Sequence, residues 1–542
     1  MGEHRSPVAL PGALPLLGHA PAFLRDRLGF LTAARGQGAV VAVRLGPGRT
    51  YLVNDPGLVR SVLAKQAGEF GLSPQFRVMR RIIGNGLLAT DGPFHRSQRK
   101  LMHPAFRHER IAEYGAAMSE LTERRLGGWQ SGEVRDLVGE FSELATEIAV
   151  RCLFSAGADE RDAAAVAGAL PHLMAWAGSR GMDPTGLLAK LPTPLNFRLR
   201  RGMADFDRVL HGVIGRRRAA GAERRGEDLL GLLLGARDAA TGEPLPDQQV
   251  HDEALSFLLA GTESVSRTLA WAVHLLARNP EVATRLRQEV DGELAGRTAE
   301  FADLERLPYT RLLLHETLRL YPPGYLVSRA SLADVRLGEY LIPAGSTVMF
   351  SYYALQRDPE RFPEPERCDP LRWERPGAAG REAFLPFGLG AHGCLGEGFA
   401  WCELALVLAS LAARWECEPL DPGPVRPVAA FSLTLAGLPV RLHARAAPRI
   451  PRQSTATHRR TEKQMEFEAL TALLVELGIP EDAVTPAALR EEAGLDSLAV
   501  AELVLLLERD HGLSVTEEEV HATTTLGELA ELLGAKRAVV RS

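Results

Sequence analysis

The 542 residues include five cysteines, at 152, 368, 394, 402 and 417, and no two stand in C-x-x-C spacing. Cys394 differs from the rest because it closes a glycine-rich string, Phe387-Gly388-Leu389-Gly390-Ala391-His392-Gly393-Cys394-Leu395-Gly396, ahead of a helix-like apolar run. Glycines let backbone amides approach a sulfur and spread the charge of a thiolate, so this cysteine is well placed as a metal ligand. A cysteine taken alone reads instead as an inert buried thiol. The string also spells G-x-G-x-x-G at Gly388, Gly390 and Gly393. A dinucleotide site needs a strand before that spelling and a βαβ unit after it. Here Pro386 interrupts the approach, and Phe399 to Ala413 leads into no parallel unit. Glu316 and Arg319 share a helix face at i, i+3, a spacing that in isolation usually marks a solvated ion pair. His95 and Arg99, one turn apart, could both face an anion. Ala260-Gly261-Thr262-Glu263-Ser264 places a glycine, an acid and hydroxyls inside an apolar helix, where glycine costs about 1 kcal/mol relative to alanine.

These groups need a large, mostly helical body to bring them together. Apolar periodicity predicts a long helix from about Asp252 to Ala277 and another over Phe399 to Ala413. Ala39 to Leu45 and Tyr51 to Asn54 read as an early hairpin around Gly46-Pro47-Gly48, and Val335 to Met349 as short strands punctuated by Pro343 and Gly345. With 46% hydrophobic and 24% charged residues, 52 Gly and 35 Pro, the chain is globular and rich in turns, which excludes collagen-like and wholly disordered classes. A net charge of −5 provides no global basic field for nucleic acid or an anionic membrane. The first twenty residues lack the apolar core of a signal peptide, and the best apolar stretch, Phe399 to Trp415, carries Glu403 and Arg414. A soluble, cytoplasmic protein is expected, with no transmembrane segment.

The string from Phe387 to Gly396 resembles the haem-binding loop of the cytochrome P450 monooxygenases, and further motifs of that family recur in the same order over about Pro11 to Leu442. The resemblance implies a mainly α, helical haem-thiolate fold with small β-sheets. It makes Cys394 the proximal ligand of haem b iron, and it puts His392, His95, Arg99 and Arg329 near the haem propionates. Glu316 and Arg319 become its E-x-x-R pair. Three arginines compete as their third partner: Arg361 in the literal P-E-R-F string, Arg367, and Arg372, which fits the family's distance to the cysteine. Arg372 is chosen. Glu263 and Ser264 fall in the family's oxygen groove as proton donors, with Ser264 where threonine is more common. A Cys thiolate on haem iron favours O–O cleavage, so the implied activity is insertion of one oxygen atom from dioxygen into an apolar substrate. The chain has no nucleotide module and no cysteine set for an iron–sulfur cluster. Separate partners, a ferredoxin and an NAD(P)H-dependent ferredoxin reductase, are therefore implied.

Beyond Leu442 the character changes. Residues 443–464 are basic and without apolar periodicity, as a flexible linker would be, whereas Met465 to Gly534 carries sixteen acids against two basic residues, a net of −14 that leaves +9 on the remainder. Leucines at helical spacing, and Thr525 as a cap, predict a small helical bundle over 465–536. Gly494-Leu495-Asp496-Ser497-Leu498 is similar to the attachment site of acyl and peptidyl carrier proteins. That resemblance implies 4'-phosphopantetheine on Ser497, added by a phosphopantetheinyl transferase, with a synthase or acyl-loading enzyme as a further partner. Three functions are open: oxidation of an acyl, aminoacyl or polyketide chain tethered to Ser497, oxidation of a free apolar molecule such as a terpene, or a non-catalytic haem scaffold. Leu258, Leu259, Leu326 and Val327 suit any apolar substrate.

Overall fold

The computed structural model describes residues 5–46, 48–77, 79–154, 160–180, 191–219, 228–237, 242–374, 380–421, 423 and 425–445, and beyond these a scattered set that includes the helix Leu526–Arg541. The chain divides into two compact units, Met1–Pro448 and Arg449–Ser542.

The larger unit is built on helices. Those longer than ten residues are α1 (Gly92–Met102), α2 (His108–Gly127), α3 (Leu137–Phe154), α4 (Glu160–Arg180), α5 (Pro194–Ala219), α6 (Asp247–Arg278), α7 (Pro280–Leu294), α8 (Pro308–Leu320) and α9 (Glu397–Arg414). α6 extends the predicted Asp252–Ala277 helix at both ends. It is buried on nearly all sides because apolar residues surround it, so it forms the axis of the core, packed by α3 and α9.

The predicted hairpin forms β2 (Val40–Val43) and β3 (Thr50–Val53), and it joins a six-stranded sheet with β1 (Val8–Ala9), β4 (Phe70–Leu72), β6 (Val327–Ser331) and β9 (Thr347–Phe350), in the order β1-β2-β3-β9-β6-β4. The register matters for the site: Leu72 of β4 pairs with Arg329 of β6, so one ladder position delivers an apolar and a cationic side chain to the same neighbourhood. The short strands predicted after Val335 form the ribbon of β7 (Val335–Leu337) and β8 (Tyr340–Ile342).

The unit closes with β5 (Val134–Asp136), β10 (Trp415–Pro419) and β13 (Pro439–Ala444), ordered β10-β13-β5. This corrects the start of the expected linker. His443 and Ala444 pair with Glu416 and Trp415 in the sheet, and Arg445 reaches Asp291 at 2.7 Å. Basic character at 443–445 therefore marks a strand end fixed by an ion pair rather than a solvated tether. The rest of the linker, and Ser497, lie outside the described residues.

In the smaller unit Leu470, Leu474, Leu503, Leu507, Leu526, Leu529 and Leu533 form one buried cluster, as the leucine spacing requires. Thr525 and Glu528 exchange backbone and side-chain hydrogen bonds at the start of α10 (Leu526–Arg541), a capping box at the predicted cap.

Candidate active site

The cysteine loop owes its course to two left-handed glycines, Gly388 at φ +72° and Gly390 at φ +71°. At Gly390 a β-carbon would also lie 2.3 Å from the carbonyl oxygen of Leu63, so backbone meets backbone there and no side chain fits. The turn is pinned by Cys394 N–H donating to Phe387 O at 2.7 Å, and α9 begins three residues after the sulfur. Cys394 is accessible where a cavity of about 350 Å³ reaches it. The surrounding burial pushes its thiol up to about 11, while the Gly396 amide opposes that and the Glu397 charge adds to it. A bound metal cation is what would favour the thiolate at this sulfur.

The four cofactor candidates other than Cys394 and Ser497 converge on this cavity: His95, Arg99, Arg329 and His392 all line it. The His95 and His392 rings stack with centroids 4.0 Å apart. Burial, then the charge of His392, lowers His95 to about 4, so it is a neutral hydrogen-bonding group at pH 7. His392 Nε2 lies 3.2 Å from Asp91 Oδ1, an acid that no motif in the sequence singles out. Burial raises the Asp91 carboxyl, yet the bonds from His392 and the Leu72 amide outweigh it and hold the group below its usual value. Arg99 donates to Gly393 O at 2.6 Å and thereby also fixes the cysteine loop. Burial lowers both Arg99 and Arg329; Arg99 donates to a backbone carbonyl, as does Arg329 to Ser328 O at 3.2 Å, and the Asp91 charge acts on Arg329 without bonding to it. Two desolvated guanidiniums that bond to no carboxylate among the described residues, beside a cavity-facing sulfur, fit an iron cofactor that takes a thiolate ligand and carries its own carboxylates, which is what haem is.

Glu316 and Arg319, both fully buried, are the centre of a charge network. Glu316 Oε1 accepts from Arg319 Nη2 at 2.8 Å, Arg372 Nε at 3.0 Å and the Asp369 amide at 2.9 Å; Oε2 accepts from Arg319 Nε at 2.9 Å and Trp373 Nε1 at 3.1 Å. Arg319 also donates to the carbonyls of Gln356, Pro365 and Arg367. Of the three competing arginines, only Arg372 contacts Glu316: Arg361 turns to Glu382, and Arg367 pairs with Glu364 at the surface. Trp373 is a site residue that sequence reasoning missed, although its place next to Arg372 was a usable signal.

The distal wall is one face of α6, with Ser256, Phe257, Ala260, Gly261, Ser264, Val265 and Thr268 on the cavity. A β-carbon at Gly261 would meet nothing closer than Ala149 Cβ at 3.9 Å, so packing does not demand glycine; its position does, by leaving room on the cavity side. Ser264 Oγ donates to Ala260 O at 2.8 Å and Thr268 Oγ1 to Ser264 O at 2.8 Å. Glu263, expected as a proton donor in the groove, turns away from it. It is absent from the cavity lining; Arg267 holds it at 3.1 and 3.2 Å, and the Ser432 hydroxyl donates to it at 2.7 Å. One residue along a helix is a turn of about 100°, which puts Ser264 on the cavity and its neighbour against β12 (Leu433–Thr434). Of the apolar residues named from sequence, Val327 lines the cavity, whereas Leu258 and Leu259 are core contacts.

Comparison with known proteins agrees with this geometry. Residues 8–441 match the family described as Cytochrome P450, and residues 468–533 match the phosphopantetheine attachment site. Cyclooctat-9-en-7-ol 5-monooxygenase of Streptomyces melanosporofaciens is 41% identical over 415 residues, 76% of this chain and 90% of that protein. Cyclooctatin synthase of the same organism is 38% identical, covering 80% and 95%. Pentalenene oxygenase of Streptomyces avermitilis is 34% identical, covering 82% and 98%. Among solved structures, the cytochrome P450DA heme domain superposes with a TM-score of 0.73 at 24% identity over 82% of this chain and 99% of that one, a likeness of fold. Among the described residues no helix is long and apolar enough to cross a membrane. The chain carries a carrier-type attachment module behind a haem-thiolate monooxygenase body, and it belongs to the cytochrome P450 family.

Proposed function

We propose that this monooxygenase inserts oxygen into an unactivated C–H bond of a free, cyclic terpenoid substrate. The observation that carries the reading is the likeness to the three relatives above; the wall of the cavity at Cys394, supplied by Leu72, Phe76, Leu87, Leu88, Leu153, Phe257 and Val327, is apolar as such a substrate requires. The names of the three relatives are consistent with such substrates. Haem bound through Cys394 supplies the oxidant, while the chain's own groups bind and orient. Arg99, Arg329, His95 and His392 hold the carboxylates, the Glu316–Arg319–Arg372 network keeps the proximal side rigid, and Ser264 holds and passes a proton at the groove. Electrons come from a separate ferredoxin and its NAD(P)H-dependent reductase.

A second reading is favoured by one observation, the fused attachment-site module. In it Ser497 carries 4'-phosphopantetheine, installed by a phosphopantetheinyl transferase and charged by an acyl-loading enzyme, and the substrate arrives as its thioester. A tether of about 20 residues gives a root-mean-square reach of roughly 25 Å and an effective concentration near millimolar.

The test compares full-length protein, Ser497→Ala and Cys394→Ser with a ferredoxin–reductase pair, offering cyclic sesquiterpene and diterpene alcohols free and short acyl groups loaded on Ser497. Oxidation of free terpenoids by wild type and Ser497→Ala alike, lost in Cys394→Ser together with the thiolate-type carbon monoxide spectrum, is expected. Turnover confined to the loaded thioester would overturn the free-substrate reading.

A further inference from the structure

Ahead of the oxygen groove, the first turns of α6 carry four polar residues whose side chains turn to one short loop. Asp252 Oδ2 accepts the Asn85 amide at 2.7 Å, and Glu253 Oε2 accepts the Leu87 amide at 2.8 Å. Their other oxygens are held from one turn earlier: Gln248 donates to Asp252 at 2.8 Å, and Gln249 to Glu253 at 2.9 Å. Gln249 also donates to the Asn85 carbonyl at 3.2 Å. The loop is cut to fit. Gly84 has φ +51°, and a β-carbon on it would lie 2.0 Å from Asp252 Oδ2; one on Gly86 would lie 2.0 Å from Ser256 Oγ and 2.5 Å from Asp252 O. The loop then delivers Leu87 and Leu88 to the cavity wall.

Glu253 is fully buried and Asp252 nearly so. Stability alone does not call for two adjacent buried carboxylates, since burying a carboxyl is costly and an apolar contact would hold a loop at less cost. Directional bonds to individual amides fix position, which apolar packing does less well.

We infer that Asp252 and Glu253 are positioning residues: an acid latch that seats the loop Gly84–Ala89 on α6 and so fixes where Leu87 and Leu88 stand over the reacting carbon, setting which substrate shapes and which C–H bonds the cavity accepts. The inference rests on the reading of this cavity as the substrate cavity, not on which substrate fills it.

The experiment uses haem-loaded full-length protein and two probes of known size that bind haem iron, imidazole and 4-phenylimidazole, titrated by difference spectra. Hydrogen exchange at the amides of Asn85 and Leu87 is followed in parallel. Loss of a hydrogen bond to a carboxylate is worth about a factor of ten or more, so Glu253→Ala and Asp252→Ala should speed exchange at Leu87 and Asn85, respectively, by roughly tenfold. They should also shift the ratio of the two azole affinities by at least about threefold, a change a single loose wall residue can produce. Glu253→Gln and Asp252→Asn, which keep an acceptor oxygen, should stay near wild type in both. Should the alanine variants fail to load haem, Gly86→Ala lifts the loop by steric contact and must shift the azole ratio in the same sense. Wild-type exchange in the alanine variants, or faster exchange with an unchanged azole ratio, overturns the latch. Neither readout depends on turnover, so failure of the terpenoid assignment would leave a different trace.

Discussion

Replacing Glu316 by glutamine keeps the size of the side chain and removes only charge and one acceptor, which makes its cost calculable. The new amide nitrogen must occupy the place of one oxygen. At Oε1 it would face three donors, from Arg319, Arg372 and the Asp369 amide; at Oε2 it would face two, from Arg319 and Trp373. The second choice is the milder one, and it still loses two hydrogen bonds while leaving two guanidiniums in a buried site without their anion. Breaking a buried pair by removing one partner typically costs about 3–5 kcal/mol, a large part of the roughly 5–15 kcal/mol that holds a domain together. Urea unfolding of the haem-loaded protein, followed by intrinsic fluorescence and by the haem absorbance, should show the stability of Glu316→Gln falling by that amount. Haem content per chain should fall with it. A loss below about 1 kcal/mol with normal haem content would mean that the network is dispensable, and the proximal role given to Glu316, Arg319 and Arg372 would be wrong.

Ser264→Ala should leave the substrate-induced spectral shift in place and raise peroxide released per reducing equivalent several-fold, whereas Glu263→Gln, which weakens the hold on Arg267 and Ser432, should lower stability by about 1–2 kcal/mol with little change in peroxide. Peroxide assays giving the opposite ranking would return Glu263 to the groove. Burial pushes the Glu253 carboxyl up to about 7, against the bonds from Leu87 and Gln249, and the Asp252 charge adds to the rise. The folded protein thus keeps a proton that the unfolded chain gives up near pH 4.5, so this group's contribution falls as pH rises from about 4.5 to 7 and is level above, by roughly 3 kcal/mol in all. Urea midpoints measured from pH 5 to 8 should show that slope in wild type and not in Glu253→Gln; parallel profiles would refute it.

Much of the site is legible in the sequence because its parts are local. The cysteine loop is specified by glycines a few residues apart, and the Glu316–Arg319 pair by one helical turn, so spelling and geometry coincide. The illegible parts depend on contacts distant in sequence. The choice among Arg361, Arg367 and Arg372 rests on how the segment 356–373 folds back on α8, where carbonyls of Gln356, Pro365 and Arg367 close on Arg319. Glu263 resembles a catalytic acid because its neighbour Ser264 lines the groove, but its direction is set by Ser432, 169 residues away. The expected linker starts two to three residues early because basic residues in a strand end look the same as basic residues in solvent until their partners, Asp291 and Glu418, are seen.

The way the larger unit ends bears on how it answers to force. β13 pairs over five positions with β10 and over three with β5, and Arg445 is tied to Asp291 directly after the strand. Force directed along the axis of β13 would load this ladder in shear, so that its hydrogen bonds yield together rather than unzip one after another. β10 follows α9 without a break, from Arg414 to Trp415, so load on this ladder passes to the helix that begins three residues after Cys394.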